Sequence, residues 1–146
     1  MKRRLFTTLA LAALLALPVV TVRAADAAAG SPAAAKNRIV FQVNEDDSRK
    51  WNTILSNINN VQEELGKVEI TVVAIGPGLG MIKADALTAN RVLDAMAAGV
   101  RFVACGNTMK SLNLSKDDMV DGIAYARAGY VEVMHLQQQG YAYIRP

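Results

Sequence analysis

From residue 37 onward the apolar positions follow two alternating patterns: short runs of β-branched and aromatic residues, and longer stretches with apolar residues at helical spacing. Residues 37–44 (NRIVFQVN) form the first short run and predict a strand. Asp46, Asp47 and Ser48 then offer helix caps. Trp51, Ile54, Leu55, Ile58, Val61 and Leu65 trace one face of a helix over 48–65, with Gly66 as its stop. Residues 68–75 (VEITVVAI) are almost wholly apolar, the mark of a strand covered on both faces of a parallel sheet. Gly76, Pro77, Gly78, Leu79 and Gly80 break the chain. A second helix is predicted over about 87–98, with Val92, Leu93 and Met96 inward and Gly99 as its end.

Residues 100–104 predict a third strand, with Cys105, Gly106 and Asn107 at its carboxyl end. A helical turn over 108–112 follows. Ser115 and Asp118 then form a capping box for another short helix. Residues 123–126 suggest a short fourth strand, 130–139 a last helix stopped by Gly140, and 141–144 a closing strand. Strands alternating with helices, without a hairpin signal, predict a three-layer α/β/α domain on a mostly parallel sheet.

The first 24 residues fall outside this pattern. Lys2, Arg3 and Arg4 precede an apolar run from Leu9 to Leu17, and Val22-Arg23-Ala24 carries small residues where a signal peptidase reads. The expectation is a signal peptide cleaved after Ala24 and a periplasmic or secreted product. The run is shorter than the ~20 residues of a permanent span, although a retained anchor is the alternative. Residues 25–35 are Ala-rich and read as a flexible lead-in, with the domain beginning near Lys36.

Export changes the charge balance. The chain has 16 basic and 13 acidic residues, but residues 1–24 carry four of the basic ones and no acid. The remainder holds twelve against thirteen, a net charge of −1. Nothing in that balance marks a nucleic-acid surface, and no membrane contact is expected after cleavage.

The chain has one cysteine, so no internal disulfide can form and packing must hold the domain. Cys105 stands at a strand's carboxyl end, where open parallel sheets gather their sites. The helical turn after it, with Asn107 or Thr108 as cap, and Lys110 if its side chain turns back, would favour a thiolate. The plainer reading is a cysteine that simply packs.

The glycine loop follows a strand and precedes a helix, yet it fails both phosphate-binding fingerprints: Met81 stands where a third glycine is needed, and Gly-Lys-Ser/Thr is absent. Gly76 and Gly78 are expected to shape backbone and to wall a pocket beside Cys105. No cofactor is expected. His135, the lone histidine, has no partner at ligand spacing, so no metal site is expected. The Asp pairs at 46–47 and 117–118 fit helix starts, and Trp51 fits a core anchor.

Three segments resemble the DsrE/DsrF-like proteins, relatives of YchN: VVAIGPGL (72–79), VACGNTM (103–109) and LQQQGYAYIRP (136–146). The likeness runs from Lys36 to Pro146. It implies a parallel five-stranded sheet flanked by helices, assembly into homo-trimers or hexamers, and a strand-end cysteine, here Cys105, that carries persulfide sulfur between partners. The chain departs from the cytoplasmic relay members in its export signal. A periplasmic sulfur carrier or sulfurtransferase-like protein is therefore expected, with Gly106, Asn107, Lys110, Gly76 and Gly78 shaping or supporting the site. Its partner would be a sulfur donor or acceptor protein, or a small sulfane-sulfur compound. The alternatives are a non-catalytic oligomeric binding or assembly protein with a buried structural Cys105, and a redox sensor that pairs its odd cysteine between molecules.

Overall fold

The computed structural model describes residues 37–146. The expected signal segment, the lead-in and the domain start at Lys36 lie outside the described residues. Strands β1 (Asn37–Val43), β2 (Val68–Ala74), β3 (Arg101–Cys105), β4 (Ala124–Ala126) and β5 (Ala142–Ile144) form one sheet in the order β4-β3-β2-β1-β5. Every pairing is parallel. The three inner strands are buried over most of their length, which is why their sequences are nearly continuous apolar runs.

The strand order places the helices. The steps β1 to β2 to β3 to β4 all move in one direction, so right-handed crossovers put α1 (Ser48–Leu65) and α2 (Ala89–Ala97) on one face. The return from β4 to β5 reverses direction and carries α4 (Gly129–Gln138) to the other face. The short α3 (Gly106–Ser111) leaves β3 without an intervening loop. The expected three layers are thus present, with a sheet parallel throughout.

Helix α1 starts where the sequence places it. Asp47 caps it, its carboxylate accepting from the Arg49 and Lys50 amides at 2.9 and 3.3 Å. Those bonds hold the Asp47 carboxyl below its ordinary value. Trp51, Ile54, Leu55 and Ile58 are buried. The stripe then fades as the chain turns away at Gly66: Val61 is half-buried and Leu65 exposed. Trp51 is the expected anchor, and its indole N–H donates to the Glu45 carbonyl at 2.8 Å. Trp51→Phe removes that donor and leaves the carbonyl unpartnered. A loss of about 1–2 kcal/mol is expected, measurable as a lower urea midpoint at unchanged slope.

Helix α2 corrects one expectation. Its inward face carries Val92 and Ala95, continuing from the buried Thr88, while Leu93 is 45% exposed and Met96 only half-buried. With 88, 92 and 95 centred on the sheet, residue 93 is rotated about 100° away. The glycine loop is also more regular than a simple break, forming a 3-10 helix over Gly76–Ile82. The capping box at Ser115 and Asp118 is present.

Candidate functional site

Cys105 ends β3 and points to the α4 face of the sheet, the same side as Arg101, whose guanidinium meets Glu132 of α4 at 2.8 Å. On that face the first residue of α4 is Gly129, and its amide donates to Cys105 Sγ at 3.2 Å. The sulfur therefore stands at the start of a ten-residue helix that has no side-chain cap of its own. A side chain at position 129 would prevent this approach: an added Cβ would lie 2.6 Å from Ile75 Cγ1 and 3.1 Å from Cys105 Cβ. Gly129 was absent from the residues singled out in the sequence. It lies 24 positions from Cys105, and only folding brings the two together.

Thr108 supplies a second polar contact. Its hydroxyl oxygen accepts from the Gly76 amide at 3.0 Å, which leaves its one proton free to face the sulfur. Burial is the largest influence on the thiol and pushes its pKa up. The Thr108 hydroxyl, the Gly129 amide and the Thr108 amide pull it down, and together they hold the thiol below its ordinary value. Asn107 contributes least, because its own amide donates to the Arg127 carbonyl at 3.0 Å. Thr108→Val keeps the shape and removes the hydroxyl. Its thiol is expected to titrate at higher pH, so alkylation at neutral pH slows several-fold. A pH series of iodoacetamide labelling reads this, and an unmoved midpoint would remove Thr108 from the site.

The other residues named from the sequence divide. Gly106 packs under the β4–α4 loop, where an added Cβ would meet the Ala126 carbonyl oxygen at 3.3 Å. Asn107 pins the same loop through its backbone. Gly76 reaches the site through Thr108 and takes a φ of 56°, a left-handed conformation suited to glycine. Gly78 does not reach the site; it is buried against the backbone of β1, with Val43 carbonyl oxygen where a Cβ would go. Lys110 is exposed in the last turn of α3. His135 is exposed on α4. No group of three or more candidate metal ligands exists among the described residues.

Two depressions are lined by residues next to Cys105 in sequence or space but not by Cys105 itself, which is only 4% exposed. A cleft of about 730 Å³ is walled by the glycine loop, Thr108, Leu112 and Leu114, with Asp46 and Lys83 at its sides. A groove of about 440 Å³ runs along the other side, lined by Ala126, Arg127, Ala128, Val131, Glu132 and His135. The glycine loop walls the larger cleft through Gly76, Pro77, Leu79 and Gly80, without Gly78, and Thr108 is shared between that cleft and the surroundings of the cysteine.

An all-parallel α/β domain with one amide-cradled thiol at the carboxyl end of a central strand defines the class. The chain matches the DsrE/DsrF-like family over residues 33–146, and it belongs to that family, which is associated with sulfur relay. A solved protein of unknown function from Methanobacterium thermoautotrophicum is similar at 33% identity and a TM-score of 0.74, covering 76% of this chain and all of that one. A conserved protein of unknown function from Bacteroides thetaiotaomicron shares 13% identity at a TM-score of 0.64, over 75% of this chain and 95% of its own. The YchN protein of E. coli shares 9% identity at 0.63, over 76% of this chain and 99% of its own. These last two likenesses concern the fold alone. No significant match is found among curated proteins.

Proposed function

We propose that this protein is a periplasmic sulfur carrier or sulfurtransferase-like protein that holds sulfane sulfur as a persulfide on Cys105. The observation that carries the reading is the Gly129 amide directed at Sγ at 3.2 Å from the start of α4. A packing cysteine needs no such donor. A thiolate that attacks sulfane sulfur does, and so does the persulfide anion that results. The lowered thiol pKa, maintained against burial, points the same way. Export is supported by the basic start and the apolar run of the first 24 residues.

The partner is a sulfur donor or acceptor protein, or a small sulfane-sulfur compound. Self-association into a trimer or hexamer fits the apolar side chains that α4 and β5 leave exposed outside the groove: Tyr130, Met134, Tyr143 and Ile144. The decisive experiment incubates the purified protein with a sulfane-sulfur donor and weighs it intact. One added sulfur atom on the native protein supports the reading, and its absence rejects it. The 4% exposure favours the second reading, an assembly protein with a structural thiol. That reading predicts that Cys105 labels with a maleimide only in denaturant.

A further inference from the structure

The geometry points to the groove beside Arg127 and His135 as the seat of a small organic sulfur donor bearing a negative charge, which delivers its outer sulfur to Cys105. This rests on the carrier reading above and names its substrate class. The sheet register sets the distance. Cys105 and Ala126 are register partners in adjacent parallel strands, so their side chains lie on the same face, about 5 Å apart across the sheet. Ala126 forms part of the groove wall, and the groove therefore opens one strand away from the sulfur.

Its lining has two characters. Ala126, Ala128 and Val131 are apolar and suit an organic body. Arg127 brings an exposed guanidinium that makes no ion pair among the described residues, and His135 always carries at least one ring N–H donor. The single carboxylate there, Glu132, is already paired with Arg101 at 2.8 Å. Arg127 is also held in place, since its carbonyl accepts the Asn107 amide at 3.0 Å. The larger cleft lacks this bias: its Lys83 is paired with Asp85 at 3.0 Å, and Asp46 adds negative charge. A volume of about 440 Å³ suits a molecule of amino-acid to small-peptide size better than a bare inorganic ion.

The transfer balances without a further reagent. The Cys105 thiolate attacks the outer sulfur of a hydropersulfide R–S–SH. A new S–S bond forms at Cys105, the donor's S–S bond breaks, and its electron pair leaves on R–S⁻. The proton stays on the transferred sulfur, giving Cys105–S–SH.

Two donors with one body test the proposal: the hydropersulfide of N-acetylcysteine and that of its methyl amide, which lacks the carboxylate. Sulfur loading of Cys105 is followed by intact mass in the native protein, in Arg127→Gln, in His135→Phe and in Lys67→Gln, whose exposed lysine lies outside the groove. The acid is expected to load the native protein about fivefold faster than the amide, a preference of the size a charge-assisted contact gives. Arg127→Gln should bring that ratio near one, His135→Phe should lower it, and Lys67→Gln should leave it unchanged. Equal ratios in all four proteins, with loading intact, would overturn the groove while sparing the carrier reading. No loading from either donor would overturn both.

Discussion

Cys105→Ser is expected to abolish sulfur loading completely while leaving the protein folded. Serine is nearly isosteric, and its hydroxyl oxygen can accept the Gly129 amide in place of the sulfur now 3.2 Å away. No buried donor is orphaned, so the stability change should stay at about 1 kcal/mol or less. The chemistry does not survive the exchange. A serine hydroxyl is not ionised near neutral pH, and a sulfane sulfur reacts with a thiolate. Intact mass after donor treatment and a thermal melt on the same sample check both halves. Loading that persists in the serine variant would place the sulfur elsewhere and remove Cys105 from the centre of the function.

Gly78→Ala is expected to give the largest stability loss of any single added methyl group at the carboxyl end of the sheet. The new Cβ would occupy the space of the Val43 carbonyl oxygen and come within 2.9 Å of the Asn44 nitrogen. Neither is a flexible side-chain tip. The Val43 carbonyl also accepts the Ile75 amide at 2.9 Å, which ties β1 to the end of β2. Relief therefore requires moving one strand end against the other, at a cost of roughly 3 kcal/mol or more. Gly66→Ala is the reference: it meets nothing within 4 Å but takes a φ of 65° with a ψ of -92°, so its cost is backbone strain alone, about 1–3 kcal/mol. Urea midpoints of the two variants compare them directly. A Gly78→Ala midpoint no lower than that of Gly66→Ala would refute the close packing of the loop on β1.

These two residues show how unevenly the site was legible. Cys105 could be placed from the chain alone, because a thiol after an apolar run sits at a strand's carboxyl end wherever that strand lies in a parallel sheet. Gly78 was legible as a backbone-shaping glycine but was also assigned to the pocket, and the structure turns it toward β1 instead. Lys110 was read as support for the thiol only if its side chain turns back, which helical spacing on a six-residue helix does not decide; it is exposed. Leu93 points outward for a related reason, whereas Met96 is half-buried and packs against the core. Leu93 is apolar, yet Thr88, Val92 and Ala95 hold the centre of the buried face, and a polar residue at 88 hid that phase.

The sequence by itself determined the elements and their order. Period, caps and glycine stops are local properties, written within a few residues of where they act, and they account for the five strands and for the start of α1 at Asp47. The tertiary structure alone decided what surrounds the sulfur. The Gly129 amide, the Thr108 hydroxyl oriented by Gly76 and the Arg127–His135 groove come from segments up to about 30 residues away from Cys105. No local pattern encodes their meeting, because it depends on the reversal of strand order that carries α4 across to the opposite face and sets its first turn over the end of β3.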